Sequence, residues 1–180
     1  MSFNMNDFVK TIQQFNDHSL QSKNVIFTIG VSASGKSTWA KEFGYPQDPH
    51  VIIIERDQIR QRFYNWMYNN DQFTWDKWNW SWENIVTAKQ RIMLELYLQS
   101  PQITTIIISD TNCKATTIND IIEHCEQYNS DVHYYYKLFD IDINEAIKRD
   151  SNRVHSVGEE VIEKQFNMLN QLKLNYKITT

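Results

Sequence analysis

The chain has 180 residues, of which 41% are hydrophobic and 22% charged, and this composition is typical of one folded domain rather than a disordered or fibrous protein. A formal net charge of −4 argues against a protein that coats nucleic acid through bulk positive charge, although a local basic groove is still compatible with it. The chain has only two cysteines, no leader pattern of basic and apolar residues, and no apolar run near the ~20 residues that span a bilayer. These features predict a single cytoplasmic domain over residues 1–180 with no membrane contact.

The order of apolar patterns predicts an α/β fold. Residues 7–15 carry apolar side chains at helical spacing, which predicts a helix within an N-terminal extension of residues 1–23. Beyond it, short apolar runs at 25–29, 51–54, 104–109 and 133–139 read as strands. Helical patterns alternate with them at 37–43, from 58 onward, and at 82–99, 117–128, 144–152 and 159–174. This alternation predicts a parallel sheet of about four to five strands that is flanked by helices.

The motif with the clearest chemistry follows the first strand. The segment GVSASGKS matches the phosphate-binding pattern G-x-x-x-x-G-K-[ST] and has the strand and helix that the pattern requires on either side. Glycines let the backbone turn tightly and aim N–H groups at phosphates, the lysine reaches the β- and γ-phosphates, and the serine hydroxyl is a ligand for Mg²⁺. We therefore predict a site for ATP or another NTP formed by Gly30, Ser32, Ala33, Ser34, Gly35, Lys36, Ser37 and Thr38.

A second group of polar residues follows the second strand, at the edge where ligands bind in open α/β sheets. Asp57 is placed to accept a proton from an attacking hydroxyl. Arg60 lies one helical turn later and would hold a substrate phosphate through a bidentate contact. A surface ion pair is the alternative interpretation, and it is less favoured beside a phosphate-binding loop.

A third group, Asp110 and Thr111, ends the third strand. Asp110 occupies a position like that of a Walker-B carboxylate, which orients Mg²⁺, and Thr111 offers a short polar group at the same cleft. The alternative is that Asp110 only caps the turn that follows. After the fourth strand, Arg149 and Arg153 are spaced so that on a helix both would project from one face and close over ATP phosphates, although a solvated basic face is the more usual reason for such spacing.

Five of the six tryptophans lie between Trp66 and Trp82, where no single helical or strand period accommodates them. This pattern predicts an insertion at about residues 64–82. Its aromatic side chains are expected to pack the insertion onto the body of the domain. The alternative is that one or two of them form a stacking platform for a nucleobase.

The motifs leave two classes of function open. A phosphotransferase needs a base such as Asp57, whereas a module that only binds ATP does not. The sequence lacks the N-K-x-D segment of guanine-specific GTPases. Within the enzyme class, the acceptor is a polynucleotide end, a nucleoside, a nucleotide or another small molecule.

Four segments taken together, TIGVSASGKSTWAKEF, ERDQIRQ, IIISDTN, and LFD followed by KRDSNR, strongly resemble the 5′-hydroxyl polynucleotide kinase domain of phage end-healing enzymes. The resemblance covers about residues 25–169 and implies a P-loop kinase fold that transfers the γ-phosphate of ATP to the 5′-OH end of DNA or RNA. It implies contacts of Lys36 and Ser37 with the donor phosphates and Mg²⁺, and Asp57 as general base. The remaining implied roles are the acceptor 3′-phosphate for Arg60, support of the active site and metal for Asp110, the acceptor for Thr111, and a lid at about 144–158 that carries Arg149 and Arg153.

The chain also departs from this family. It shows no 3′-phosphatase domain, so the resemblance implies the kinase activity alone. The N-terminal 23 residues have no evident counterpart, and the tryptophan-rich segment occupies the place of a charged acceptor-side region, which keeps a smaller acceptor open. The resemblance implies the host cytoplasm as the location if the gene is phage-encoded. A homo-oligomer is compatible with the sequence.

Overall fold

The computed structural model describes residues 22–44, 48–69 and 73–176. Within these ranges the chain alternates strands and helices as the sequence predicts, and short 3₁₀ turns lie at Trp75–Lys77 and Trp80–Trp82. The strands are β1 (Lys23–Ile29), β2 (Val51–Ile54), β3 (Thr105–Ile108) and β4 (Val132–Leu138). The α-helices are α1 (Lys36–Phe43), α2 (Arg56–Met67), α3 (Glu83–Gln99), α4 (Ala115–Tyr128), α5 (Ile143–Ser151) and α6 (Glu159–Tyr176). The helix predicted at 7–15 lies outside the described residues.

The described strands form one parallel sheet in the order β2-β3-β1-β4. Alternate residues of β1 and β3 pack against helices on opposite faces of this sheet: Ile26 and Ile107 pack with Ala40 of α1, whereas Phe27 and Ile106 belong to the larger core that includes residues of α3, α4 and α6. The α/β class predicted from the sequence is therefore confirmed. A strand covered on both faces needs a continuous apolar run, and this is why β3 could be recognised from its sequence.

The carboxyl ends of the strands bring the three polar segments to one edge of the sheet. The Gly30 N–H donates to the Thr111 carbonyl (3.0 Å), and the Ser109 N–H donates to the Ile54 carbonyl (2.9 Å). These backbone contacts join the segments after β1, β2 and β3 where ligands bind in open α/β sheets. Among the described residues, no helix combines the length and apolar character needed to cross a bilayer.

Candidate active site

The two glycines of the phosphate-binding loop serve different purposes. Gly35 has φ of +100°, a left-handed conformation that L side chains rarely adopt, and it directly precedes α1. At Gly30 a side chain has no room, because a Cβ there would lie 2.7 Å from the carbonyl oxygen of Phe139 and 2.8 Å from Ser34 Oγ. The loop is thus shaped both by its own backbone and by the end of β4. Its curvature continues through Ala33, a non-glycine residue with φ of +60°.

Lys36 is buried under this loop. Its Nζ donates to the Val31 carbonyl (2.5 Å) and to Ser34 Oγ (3.3 Å). Burial lowers the pKa of Lys36 to about 8, although the nearby carboxylates of Asp57 and Asp110 act to raise it. A phosphate attracts a desolvated ammonium more strongly than an ammonium that is surrounded by water. The buried Lys36 is therefore well placed to stabilise an anion bound in the loop.

Ser37 and Thr38 are exposed in the first turn of α1, whose N-terminus carries no side-chain cap. The positive end of the helix dipole therefore faces the cavity. The described residues contain no cluster of three or more His, Cys, Asp or Glu side chains that would hold a metal by itself. Mg²⁺ in nucleotide sites needs only one or two protein oxygens besides phosphates and water, and the accessible Ser37 hydroxyl suits that donor set.

Asp57 and Arg60 lie side by side on α2, as the sequence predicts. The Asp57 side chain is 68% exposed and accepts a hydrogen bond from Arg60 NH1 at 2.6 Å. Arg60 is only 13% exposed, so its guanidinium is held inside the site while the carboxylate faces the cavity. The alternative of an ordinary surface ion pair does not fit an arginine that is buried to this degree.

Glu83, at the start of α3, is a site residue that sequence reasoning missed. Its carboxylate accepts from Arg60 at Nε (2.7 Å) and NH2 (2.9 Å), and from Arg56 NH2 at 2.8 Å. The Trp78 indole N–H adds a third donor at 3.0 Å. Burial alone would raise the pKa of Glu83, but the hydrogen bonds and charges of Arg60 and Arg56 outweigh it and lower the pKa to about 2. Glu83 thus fixes the plane of the Arg60 guanidinium.

Asp110 connects the end of β3 to the same network. Its Oδ1 accepts from the Arg56 backbone N–H (2.8 Å), which caps the N-terminus of α2, and its Oδ2 accepts from Gln90 Nε2 (2.8 Å). The Asp110 side chain therefore does not cap the turn after β3, which was the alternative interpretation. Burial raises its pKa to about 6, and the neighbouring Asp57 charge acts in the same direction.

The two predicted lid arginines line the cavity, but they do not share a helix face. The spacing argument is wrong because α5 ends at Ser151, so Arg153 lies in the following loop. The reason is the buried Asp150, whose Oδ2 accepts from Ser156 Oγ (2.6 Å) and from the backbone N–H groups of Val157 (3.0 Å) and Gly158 (3.1 Å). These contacts turn the chain back on itself and redirect Arg153.

Arg149 and Arg153 differ in their contacts. Arg149 pairs with Glu145 at 2.7 Å, whereas Arg153 lies 3.6 Å from the Asp150 carboxylate.

The helix after the lid segment, α6, contacts the phosphate-binding loop. Gln165 on α6 accepts a hydrogen bond from the Ser32 backbone N–H at 2.7 Å. That contact was also missed, since no local pattern marks a glutamine so distant in sequence from the loop.

One cavity of about 1000 Å³ brings most of the predicted residues together. Those that line it are Ser32, Ala33, Gly35, Lys36, Ser37, Thr38, Asp57, Arg60, Asp110, Thr111, Arg149 and Arg153. Gly30 and Ser34 do not line the cavity and act behind it, in the packing of the loop and in the contact with Lys36.

The tryptophan-rich segment divides between packing and the cavity. Trp78 is buried and Trp82 packs against the core, both with their rings steeply inclined to Phe63. These two confirm the expectation that aromatic side chains pack the insertion onto the body. Trp75 also packs against the core, and both Trp75 and Trp80 line the cavity together with Arg60.

Comparison with known proteins places this geometry in context. A family model described as an AAA domain matches residues 25–172. A curated protein of Autographa californica nuclear polyhedrosis virus, named "Putative bifunctional polynucleotide kinase/RNA ligase", is 26% identical over 190 residues. The alignment covers 96% of this chain, including part of the N-terminal segment, so that segment has a counterpart in this relative. The chain spans only about a quarter of the relative's length, because the alignment covers 25% of it.

Two solved structures share the fold. The first, titled "Structure of the Pnkp1/Rnl/Hen1 RNA repair complex", superposes with a TM-score of 0.66 at 22% identity and covers 89% of this chain and 48% of that chain. The second, titled "Structure of Pnkp1/Rnl/Hen1 complex", has a TM-score of 0.55 at 21% identity and covers 80% of this chain and 42% of that one. At this level of identity the likeness establishes the arrangement of strands and helices.

Proposed function

We propose that this chain, which belongs to the AAA domain family whose model matches residues 25–172, is an ATP-dependent kinase of 5′-OH ends of DNA or RNA. The observation that carries the proposal is the cavity in which a phosphate-binding loop and the Asp57–Arg60 pair meet. Lys36 lines the same cavity as this pair. Donor and acceptor groups therefore have a common place to react.

The donor side holds the nucleotide. The loop N–H groups and the N-terminus of α1 bind phosphate oxygens, and Lys36 contacts the β- and γ-phosphates. Ser37 and Asp110 are the residues that would hold Mg²⁺, which neutralises charge on the phosphates when bound. Arg149 and Arg153 add positive charge from the lid segment, where charge develops on the transferring group.

The acceptor side positions the hydroxyl. Asp57 takes the proton of the 5′-OH as its oxygen bonds to the γ-phosphorus, and the bond from that phosphorus to the β,γ-bridging oxygen breaks, so that ADP leaves. Arg60, oriented by Glu83, holds the phosphate on the 3′ side of the acceptor nucleoside, and Thr111 lies beside the acceptor. Positioning and charge neutralisation supply most of the rate enhancement.

The names of similar proteins support a nucleic-acid end as the acceptor. The viral relative is named as a polynucleotide kinase and RNA ligase, and the two structures come from a complex, titled an RNA repair complex in the first. Within this proposal, the tryptophan-rich segment takes the place of a charged acceptor-side region and still leaves Arg60 in the cavity.

Transfer of label from [γ-³²P]ATP to a panel of acceptors tests the proposal directly. The panel contains 5′-OH DNA, 5′-OH RNA, a nucleoside 3′-monophosphate and a nucleoside, each with Mg²⁺. We expect label on the polynucleotides, and Lys36→Ala protein purified in parallel controls for a contaminating kinase. Label on the nucleoside alone would identify a small-molecule kinase. ATP binding without label on any acceptor would identify a binding module.

A further inference from the structure

Trp75 and Trp80 form a ring pair unlike the other aromatic contacts of the tryptophan-rich segment. Their ring centroids lie 6.1 Å apart with an interplanar angle of 15°, so the rings are stacked. Trp78 and Trp82 instead meet at 81°, as expected for packed aromatic clusters. Trp80 is 68% exposed although it lines the cavity, and its packing in the fold therefore does not explain its position.

Trp75 forms the fixed member of the pair. The Arg60 guanidinium lies over its ring, 5.5 Å from the centroid, and the Phe73 ring meets it at 74°. Its indole N–H is buried and has no hydrogen-bond partner within the described part of the chain. The Trp75 ring is therefore held by packing against the core and by its contact with Arg60, and not by a hydrogen bond of its indole to another described residue.

We propose that Trp80, supported by Trp75, is a stacking subsite for the terminal base of a single-stranded acceptor, an inference that rests on the proposed function. If Arg60 holds the phosphate on the 3′ side of the attacked nucleotide, the base of that nucleotide lies within reach of the ring pair, in which Trp75 packs on Arg60 and Trp80 stacks on Trp75. Stacking on tryptophan requires a base that is free of its own stack and pair. The subsite thus favours unpaired ends over the ends of a duplex.

The occupant follows from the cavity that the rings share. Trp80 lines the same cavity as Lys36, Asp57 and Arg60, so a group that contacts its ring lies in the cavity where the reaction is proposed to take place. Among the components of a 5′-OH end, only the base has a π face to stack on an indole. In the proposed function, Asp57 contacts the sugar hydroxyl and Arg60 holds the phosphate.

The test uses acceptor KM with two single-stranded 5′-OH oligonucleotides that differ only in whether the terminal nucleotide carries a base or is abasic. Trp80→Ala is expected to raise KM about tenfold for the base-bearing oligonucleotide, within the range of one base stack, and to change KM little for the abasic one. Trp80→Phe should recover part of the loss. Trp66→Ala is the matched control, because Trp66 is 77% exposed and does not line the cavity.

Equal effects of Trp80→Ala on both oligonucleotides, or an equal effect of Trp66→Ala, would overturn the subsite. A binding measurement separates this outcome from failure of the proposed function. If the wild-type protein phosphorylates no 5′-OH acceptor, anisotropy of the two labelled oligonucleotides still reports affinity. Preference for the base-bearing strand that Trp80→Ala removes would support stacking, and an unchanged preference would refute it.

Discussion

In the proposed function, the donor and acceptor sides of the cavity are built in different ways. The phosphate-binding loop of the donor side comes from eight consecutive residues, Gly30 to Ser37, and depends on backbone conformation, with φ of +60° at Ala33 and +100° at Gly35. The acceptor side comes from side chains on α2, α3 and the end of β3, which meet through charge-assisted hydrogen bonds centred on Glu83 and Asp110. A phosphate can be bound by any well-shaped run of N–H groups, whereas a particular acceptor hydroxyl requires side chains fixed relative to one another.

The largest expected effect falls on the acceptor side, at Asp57, the proposed general base. Asp57→Asn should lower the transfer rate by ~10³-fold while ATP affinity stays within a few fold, because the amide keeps the shape but cannot take the proton. Transfer assays and ATP titrations on the same preparation test this, with Asp131→Asn, a change at the amino end of β4, as the control. Parallel loss of ATP affinity and transfer would make Asp57 a nucleotide-binding or structural group instead.

On the donor side, Lys36→Ala should lower turnover by at least ~10²-fold, because it removes a positive charge directed at the transferring phosphoryl group. Lys36 is buried, so its removal also leaves the Val31 carbonyl and Ser34 Oγ without their donor. Melting curves run beside the kinetics separate loss of fold from loss of charge. A folded variant with near-normal turnover would contradict the assignment of this loop.

Most of the fold and the donor side could be predicted from sequence because their determinants are local. Continuous apolar runs of β-branched residues mark buried parallel strands, and β3 is such a run. The spacing of Gly30, Gly35 and Lys36 within one loop is enough to specify a phosphate site. The pairing of Asp57 with Arg60 could also be predicted, since both residues lie on one turn of α2 and interact directly.

The remainder depends on packing between distant segments. Glu83 reaches Arg56 and Arg60 only because α3 lies against α2, and no local pattern distinguishes this glutamate from other acidic residues at helix starts. Arg153 shows the opposite error. Its spacing from Arg149 suggested a shared helix face, but the buried Asp150 ends the helix before Arg153 through contacts with Ser156 and Gly158.

Arg60→Ala tests whether the acceptor side recognises a phosphate. It should raise acceptor KM by the equivalent of about 2–3 kcal/mol for polynucleotides and nucleoside 3′-monophosphates, with a smaller effect on the KM for ATP. Arg60→Lys should recover little, because an ammonium cannot reproduce the fork that meets Glu83 at two atoms. Kinetics with a nucleoside 3′-monophosphate and its dephosphorylated partner measure the difference. Equal impairment of both acceptors would favour a small-molecule kinase.

The smallest kinetic effect is expected at Glu83, which acts through Arg60. Glu83→Gln should raise acceptor KM by about tenfold or less and leave the KM for ATP unchanged, because the guanidinium loses a charged partner but keeps one oxygen acceptor. Glu83→Asp, which retains the charge, should recover part of the loss. An equal rise in both KM values would indicate general damage to the fold rather than altered positioning of Arg60.

The stability of the same variant has a distinct pH dependence. Because the hydrogen bonds and charges of Arg60 and Arg56 outweigh burial and lower the pKa of Glu83 from 4.5 to about 2, its ionised form stabilises the folded state above about pH 4.5, and this contribution disappears as pH falls toward 2. Asp110 has the opposite effect at higher pH values, because its pKa is raised from 3.8 to about 6. Its protonation therefore favours the folded state as pH falls between those two values.

The contribution of Asp110 cancels when the unfolding free energy of Glu83→Gln is subtracted from that of the wild type. Urea unfolding at a series of pH values should therefore show a difference that is constant from pH 7 to about 5 and shrinks below pH 4.5. A difference that does not change with pH would mean that Glu83 stabilises the acceptor side through packing, without the charge that orients Arg60.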